Sequence, residues 1–137
     1  MPKLKIGIIG AGVAGMSSAL LLKNLGHQVS IFERAKKLER LGAGIQISSN
    51  GRHVLNELGV DNEVMSSASI PKSLALFDAS REQQIGKVEI RNRLKNRYKR
   101  GFLVLQRADL MNVLYNKIKK EKINIFFGSN TKPKKSN

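Results

Sequence analysis

The chain has 137 residues, 41% of them hydrophobic, and no cysteine. That length allows one domain with a real core, and the composition excludes a disulfide framework, a thiolate metal site and a cysteine nucleophile. The formal net charge of +15 admits an anionic partner. Aromatic residues make up only 5% and none interleave with a basic motif, so a solvated lysine-rich surface is the better reading than a nucleic-acid interface.

In chain order, Lys3 to Ile9 (KLKIGII) reads as a short buried strand and Gly10-Ala11-Gly12-Val13-Ala14-Gly15 as a glycine-rich turn. From Val13 to Leu25 the residues Ala14, Ala19, Leu22 and Leu25 recur at helical spacing, and Gly26 ends that helix. Gln28 to Phe32 is a second strand with Glu33 at its carboxyl end, followed by a charged loop to Arg40. The spacing predicts a helix from Asn50 to Leu58 with Val54, Leu55 and Leu58 inward, closed by Gly59. Leu74 to Phe77 and Gln84 to Ile90 read as a hairpin around Asp78-Ala79-Ser80. After a strongly basic stretch, Arg91 to Arg100, come a strand at Phe102 to Gln106, a helix at Ala108 to Lys120 and a last strand at Ile123 to Phe127. Leu110, Val113, Leu114 and Ile118 mark the inner side of that helix, and Ser129 to Asn137 is a polar tail expected to fray. Strands alternating with helices predict an α/β fold with a mainly parallel sheet, the hairpin being an antiparallel excursion.

The turn carries the clearest chemistry. A GxGxxG sequence alone is weak, but here it follows a strand and opens a helix. Gly10 permits the tight turn, Gly12 lets a pyrophosphate approach the backbone, and Gly15 permits close helix–strand packing. The helix N-terminus then offers free N–H groups to phosphate oxygens. Glu33 ends the second strand at about the ~20-residue spacing expected of a carboxylate that binds ribose hydroxyls, and it disfavours a 2′-phosphate. NAD and FAD share this unit, and the turn does not choose between them. His27 and His53 have no neighbouring ligand types, which argues against a metal site, and no residue stands out as a catalytic acid, base or nucleophile. Asp109 is expected to favour the dipole of its helix.

Two later segments discriminate. Phe32-Glu33-Arg34-Ala35 is followed by Leu41-Gly42-Ala43-Gly44-Ile45-Gln46-Ile47-Ser48-Ser49-Asn50, and Leu105-Gln106-Arg107-Ala108-Asp109-Leu110 joins a strand to a helix. Together they resemble the FAD-dependent aromatic-ring monooxygenases of the salicylate hydroxylase kind, from Lys3 to about Gly128. The resemblance implies a Rossmann-like domain over 1–130, with 68–100 an excursion belonging to an incomplete substrate domain and 131–137 a basic tail. It implies that the turn from Gly10 to Gly15 lies on the FAD pyrophosphate, Glu33 on the adenosine ribose and Arg34 beside the adenine. Arg40 and Arg107 would be further flavin contacts, a guanidinium suiting phosphate oxygens.

Members of that family reduce the flavin with NAD(P)H and transfer one oxygen atom of O₂ to an aromatic substrate. Their later flavin and substrate motifs lie beyond this sequence, so the chain is expected to be an inactive N-terminal part with exposed sheet edges. It is an aromatic-substrate enzyme only when completed. A NAD-binding dehydrogenase domain and a non-enzymatic basic nucleic-acid-binding protein remain the alternatives. No apolar run approaches the ~20 residues that span a bilayer. Met1 leads straight into a strand pattern, which predicts a cytoplasmic protein without a signal peptide or membrane partner.

Overall fold

A computed structural model describes residues 2–38 and 42–131. The chain divides into two compact units, residues 1–42 with 108–137 and residues 43–107.

The first unit is built on three parallel strands, β1 (Lys5–Ile9), β2 (Gln28–Glu33) and β7 (Asn124–Phe127), in the order β1-β2-β7. Helix α1 (Val13–Asn24) makes the crossover from β1 to β2. Side chains alternate across the sheet. Ile6 and Ile8 stand in register with Val29 and Ile31, and Ile125 continues the row beside Ile31. Val29 and Ile31 are buried, while Ile6, Ile8 and Ile125 are half-buried. The opposite face carries Gly7, Ile9, Phe32 and Phe126, with the two phenylalanine rings stacked at 5.2 Å. Gly7 leaves room for that stack, because a Cβ there would stand 3.3 Å from the Phe32 ring.

This corrects the expectation that β1 is buried. Its burial alternates, and Ile9 is 55% exposed, because only one face of the sheet is covered and β1 lies at its edge. The inner face of α1 also differs from the predicted one. Met16, Ala19 and Leu20 are buried, at i, i+3 and i+4, whereas Ala14 and Leu25 are exposed. Helix α5 (Arg107–Lys120) buries Leu110, Met111, Leu114 and Ile118, with Val113 half-buried. Its Tyr115 meets Phe127 of β7 edge-on at 6.4 Å.

The second unit is antiparallel. β3 (Gly44–Ile47) pairs with β6 (Leu103–Gln106), Gly44 opposite Gln106 and Ile47 opposite Leu103. The Phe102 to Gln106 strand was expected in a mainly parallel sheet. It has an antiparallel partner in a segment that had no strand assigned to it. β4 (Ser73–Asp78) and β5 (Gln83–Glu89) form the predicted hairpin, with a bulge between Leu76 and Phe77. Leu74, Leu76, Phe77, Ile85 and Val88 are all exposed on it.

Three helices complete the unit. α2 (Ser49–Glu57) is the predicted one, and two were not anticipated, α3 (Asp61–Ser66) and α4 (Arg91–Tyr98). The first is too short for a periodic signal, and the second has too few apolar residues for one. In α2, Leu55 and the following Leu58 are buried, but Val54 is 42% exposed, and the third inward position belongs to Arg52. Arg52 Nε and Nη2 donate to Asp61 Oδ1 and Oδ2 at 3.0 and 2.7 Å, and Arg100 Nη1 reaches Oδ2 at 2.9 Å. Arg52 and Asp61 are both buried, and the carboxylate draws α2, α3 and the connection leading to β6 together.

Among the described residues no helix is long and apolar enough to cross a membrane. Three stability outcomes follow from the packing, all readable by urea denaturation. Leu114→Ala, at a fully buried site, is expected to cost about 2–5 kcal/mol, whereas Leu25→Ala, 70% exposed, should change stability by less than about 0.5 kcal/mol. Asp61→Ala should cost about 3–5 kcal/mol, because it strands a buried guanidinium.

Candidate functional site

The candidate site lies where the parallel strands β1 and β2 end, the usual place for ligands in an open α/β sheet. Chain direction reverses at Gly10, whose φ of +100° lies in the region that favours glycine. Its N–H donates to Phe32 O at 2.8 Å, tying the turn to β2. Gly15 faces this turn from α1, and a Cβ there would collide with the Gly10 carbonyl oxygen. The requirement for glycine at 15 is therefore set first by the turn, and only second by the Ile8 side chain 3.5 Å away.

Gly12 is the N-cap of α1 and makes no side-chain cap. The first intrahelical bond runs from Met16 N–H to Gly12 O at 3.0 Å, so Val13, Ala14 and Gly15 present N–H groups with no intrahelical acceptor. The first turn holds no acidic residue, and nothing stands within 4 Å of where a Gly12 Cβ would be. An uncapped helix start with a positive partial charge and open space before it suits an anionic group such as a pyrophosphate.

Glu33 completes the arrangement in a way that spacing alone does not reveal. Its Oε2 accepts the Ala11 N–H at 2.7 Å and its Oε1 accepts the Ala35 N–H at 2.8 Å. The carboxylate thus bolts the middle of the glycine turn to the end of β2. The Ala11 N–H holds its pKa below the ordinary 4.5, and the Ala35 N–H, the Arg34 N–H and the Arg34 charge add to this against the effect of burial. Two carboxylate oxygens offer about four acceptor positions, so roughly half remain for hydroxyl donors. The end of β7 is held beside the same point, because Ser129 N–H donates to Glu33 O and Gly128 N–H to Ala35 O, each at 2.9 Å.

The turn from Gly10 to Gly15, Glu33 and Arg34 therefore come together in the first unit, with Arg34 exposed. Arg107 is the last residue of the second unit. Its N–H donates to Ala43 O at 2.9 Å and its side chain is exposed. Arg40 lies outside the described residues. His53 is exposed and His27 is buried, its Nδ1 accepting the Leu4 N–H at 3.4 Å. No group of acidic and histidine residues among those described could hold a metal ion.

Two measurements probe this geometry. Because the folded-state pKa of Glu33 is depressed, its stabilising effect is complete above the ordinary value of 4.5 and is lost as pH falls below it. Melting temperature followed from pH 7 down to 3 should drop less steeply in Glu33→Gln than in the parent chain. Gly15→Ala is expected to lower stability by at least about 1–3 kcal/mol, since the turn has to open to admit the methyl group.

Comparison with known proteins agrees with this geometry. The profile of the family described as the FAD binding domain matches residues 3–135. The chain is 33% identical over 107 residues to the 3-amino-4-hydroxybenzoate 2-monooxygenase of Streptomyces cremeus, covering 78% of this chain and 27% of that protein. It is 32% identical over 107 residues to 3-hydroxybenzoate 6-hydroxylase 1 of Aquipseudomonas alcaligenes, with the same coverage. Among solved structures, 2-methyl-3-hydroxypyridine-5-carboxylic acid oxygenase in its tetrameric form superposes with a TM-score of 0.82 at 24% identity, over 93% of this chain and 32% of that one. The Klebsiella pneumoniae protein HpxO, complexed with FAD and uric acid, does so at 0.77 and 23%, over 92% of this chain and 31% of that one. These structures share the fold, and the chain spans about a quarter to a third of the length of such relatives. By the match over nearly its whole length, the chain belongs to the FAD binding domain family.

Proposed function

We propose that the turn from Gly10 to Gly15 and Glu33 hold the ADP half of FAD, and that the chain is the ADP-binding part of an aromatic-ring monooxygenase. The observation that carries this reading is the hydrogen bond between Glu33 and Ala11, which joins the phosphate-binding turn to the ribose-binding carboxylate. The exposed N–H groups of Val13 and Ala14 face the pyrophosphate, and Gly12 leaves room for it. The Glu33 oxygens accept the adenosine ribose hydroxyls in the positions not taken by Ala11 and Ala35. Arg34 borders the adenine. Arg40 is assigned a further contact to the flavin nucleotide by the family resemblance.

When bound, the flavin supplies the redox chemistry, with NAD(P)H as electron donor and O₂ as oxidant. The residues of this chain bind and orient the nucleotide, and none of them is assigned a proton-transfer role. The reading implies a cytoplasmic setting, where NAD(P)H is available.

Calorimetric titration with FAD, ADP, NAD and NADP tests this. FAD and ADP are expected to bind, NADP more weakly than NAD, and Glu33→Gln should weaken ADP about tenfold, the usual effect of losing a hydrogen bond to a charged group. Absence of binding by all four nucleotides, or NAD binding tighter than FAD, would overturn the assignment.

A further inference from the structure

The second unit contains a cavity of about 320 Å³ that the flavin reading does not use. Its lining includes Arg52 from α2, Met65 from α3, Ile70 from the segment after α3, Arg91 from α4, and Lys99 and Arg100 from the connection to β6. That volume is at the lower end of the ~300–1,000 Å³ typical of small-molecule sites.

The electrostatics are unbalanced. Four cationic side chains line the cavity, and Asp61 is the one carboxylate that bonds to any of them among the described residues. Asp61 is already engaged by Arg52 and by Arg100. It therefore orients these two guanidinium groups without neutralising the set. Arg52 Nη1 has only a long bond, 3.4 Å, to Gly101 O. Arg91 donates through Nη2 to Ile70 O, while its Nε is buried with no hydrogen-bond partner among the described residues. A buried, charged N–H left unpaired is costly, and the cost falls if an anion enters beside it.

Lys99 adds a conformational observation. Its φ of 63° lies in the left-handed region, just past the end of α4, where glycine is the usual residue. Lys99 lines the cavity from that conformation, at some expense of backbone energy. The remaining wall is apolar. Met65 and Ile70 offer surface that an inorganic anion cannot use, whereas an amphipathic one can.

We propose that this cavity binds a small organic carboxylate, with its head group on Arg91, Lys99 and Arg100 and its apolar body against Met65 and Ile70. Guanidinium forks match a carboxylate in two parallel bonds, and the ammonium adds a point charge. The site is separate from the glycine turn in sequence and in unit, so it stands or falls independently of the flavin assignment.

Hexanoate is the probe, titrated into the ¹⁵N-labelled chain, with hexanol and inorganic phosphate as comparators. Hexanoate should shift the amide signals of residues around Gly101 in a saturable way, and both comparators should bind at least about tenfold more weakly, each lacking one half of the recognition. Arg91→Gln should weaken hexanoate about tenfold. Lys99→Gly relieves the backbone strain, so its melting temperature should hold or rise while hexanoate affinity falls several-fold. Loss of affinity without loss of stability is an outcome that a purely structural role for Lys99 does not produce. Hexanol binding as well as hexanoate would remove the charge argument, and phosphate binding as well would remove the apolar one. Either result overturns the proposal, as does hexanoate binding that is absent or is unchanged in both variants.

Discussion

The hydrogen bond from Ala11 N–H to Glu33 spans 22 residues of sequence and closes at 2.7 Å. It is the constraint on which the arrangement of the first unit turns. Without it, the loop between β1 and α1 would be held to β2 by the Gly10 to Phe32 bond alone. With it, the carboxyl ends of two parallel strands and the start of a helix become one rigid corner. The same carboxylate holds Ala35, so the chain leaving β2 is set by the group that sets the turn. A residue read from its position as a ribose ligand is a fastener in the fold, and the proposed role is compatible with this because an ionised carboxylate has acceptor positions to spare.

Around that corner the sheet is finished on one side and open on the other. Covered rows of Ile6, Ile8, Val29 and Ile31 alternate with an outer face on which Ile9 and Phe126 remain about half exposed. Parallel sheets are generally covered on both faces. The β4–β5 hairpin of the other unit exposes five large apolar side chains of its own. Relatives that match this chain are about three times its length, and exposed apolar surface of this kind is where further structure docks in proteins generally. The high net charge works in the opposite direction, keeping molecules with exposed apolar faces apart.

The second unit is held by a different sort of contact. A buried ion pair such as Arg52 with Asp61 offers little net stability over an apolar replacement, because desolvation offsets the Coulomb attraction. Its effect lies in geometry: one carboxylate receives guanidinium groups from two separate parts of the chain and fixes the spacing of α2, α3 and the entry to β6. Part of the unit's positive charge, from Arg52, Arg91, Lys99 and Arg100, lines one cavity.

The local elements were legible in the residues because their signals are local. The glycine turn, the helix that follows it, the hairpin and the helix from Ala108 to Lys120 each depend on φ/ψ preference or on apolar spacing within a dozen residues. Glu33 was legible for the same reason, sitting at a fixed distance from the turn. Tertiary structure alone decided which faces are buried. Val54 and Leu25 have the spacing of core residues and are exposed, while Arg52 lies inward, because burial depends on which surface a helix meets and not on its own period. The antiparallel pairing of Gly44–Ile47 with Leu103–Gln106 and the meeting of Arg52, Asp61 and Arg100 likewise join residues 39 or more positions apart, apart from the nine between Arg52 and Asp61. No periodicity records such meetings. The identity of the turn was written in the sequence, and what holds the turn in shape was settled only when β2 came to lie beside β1.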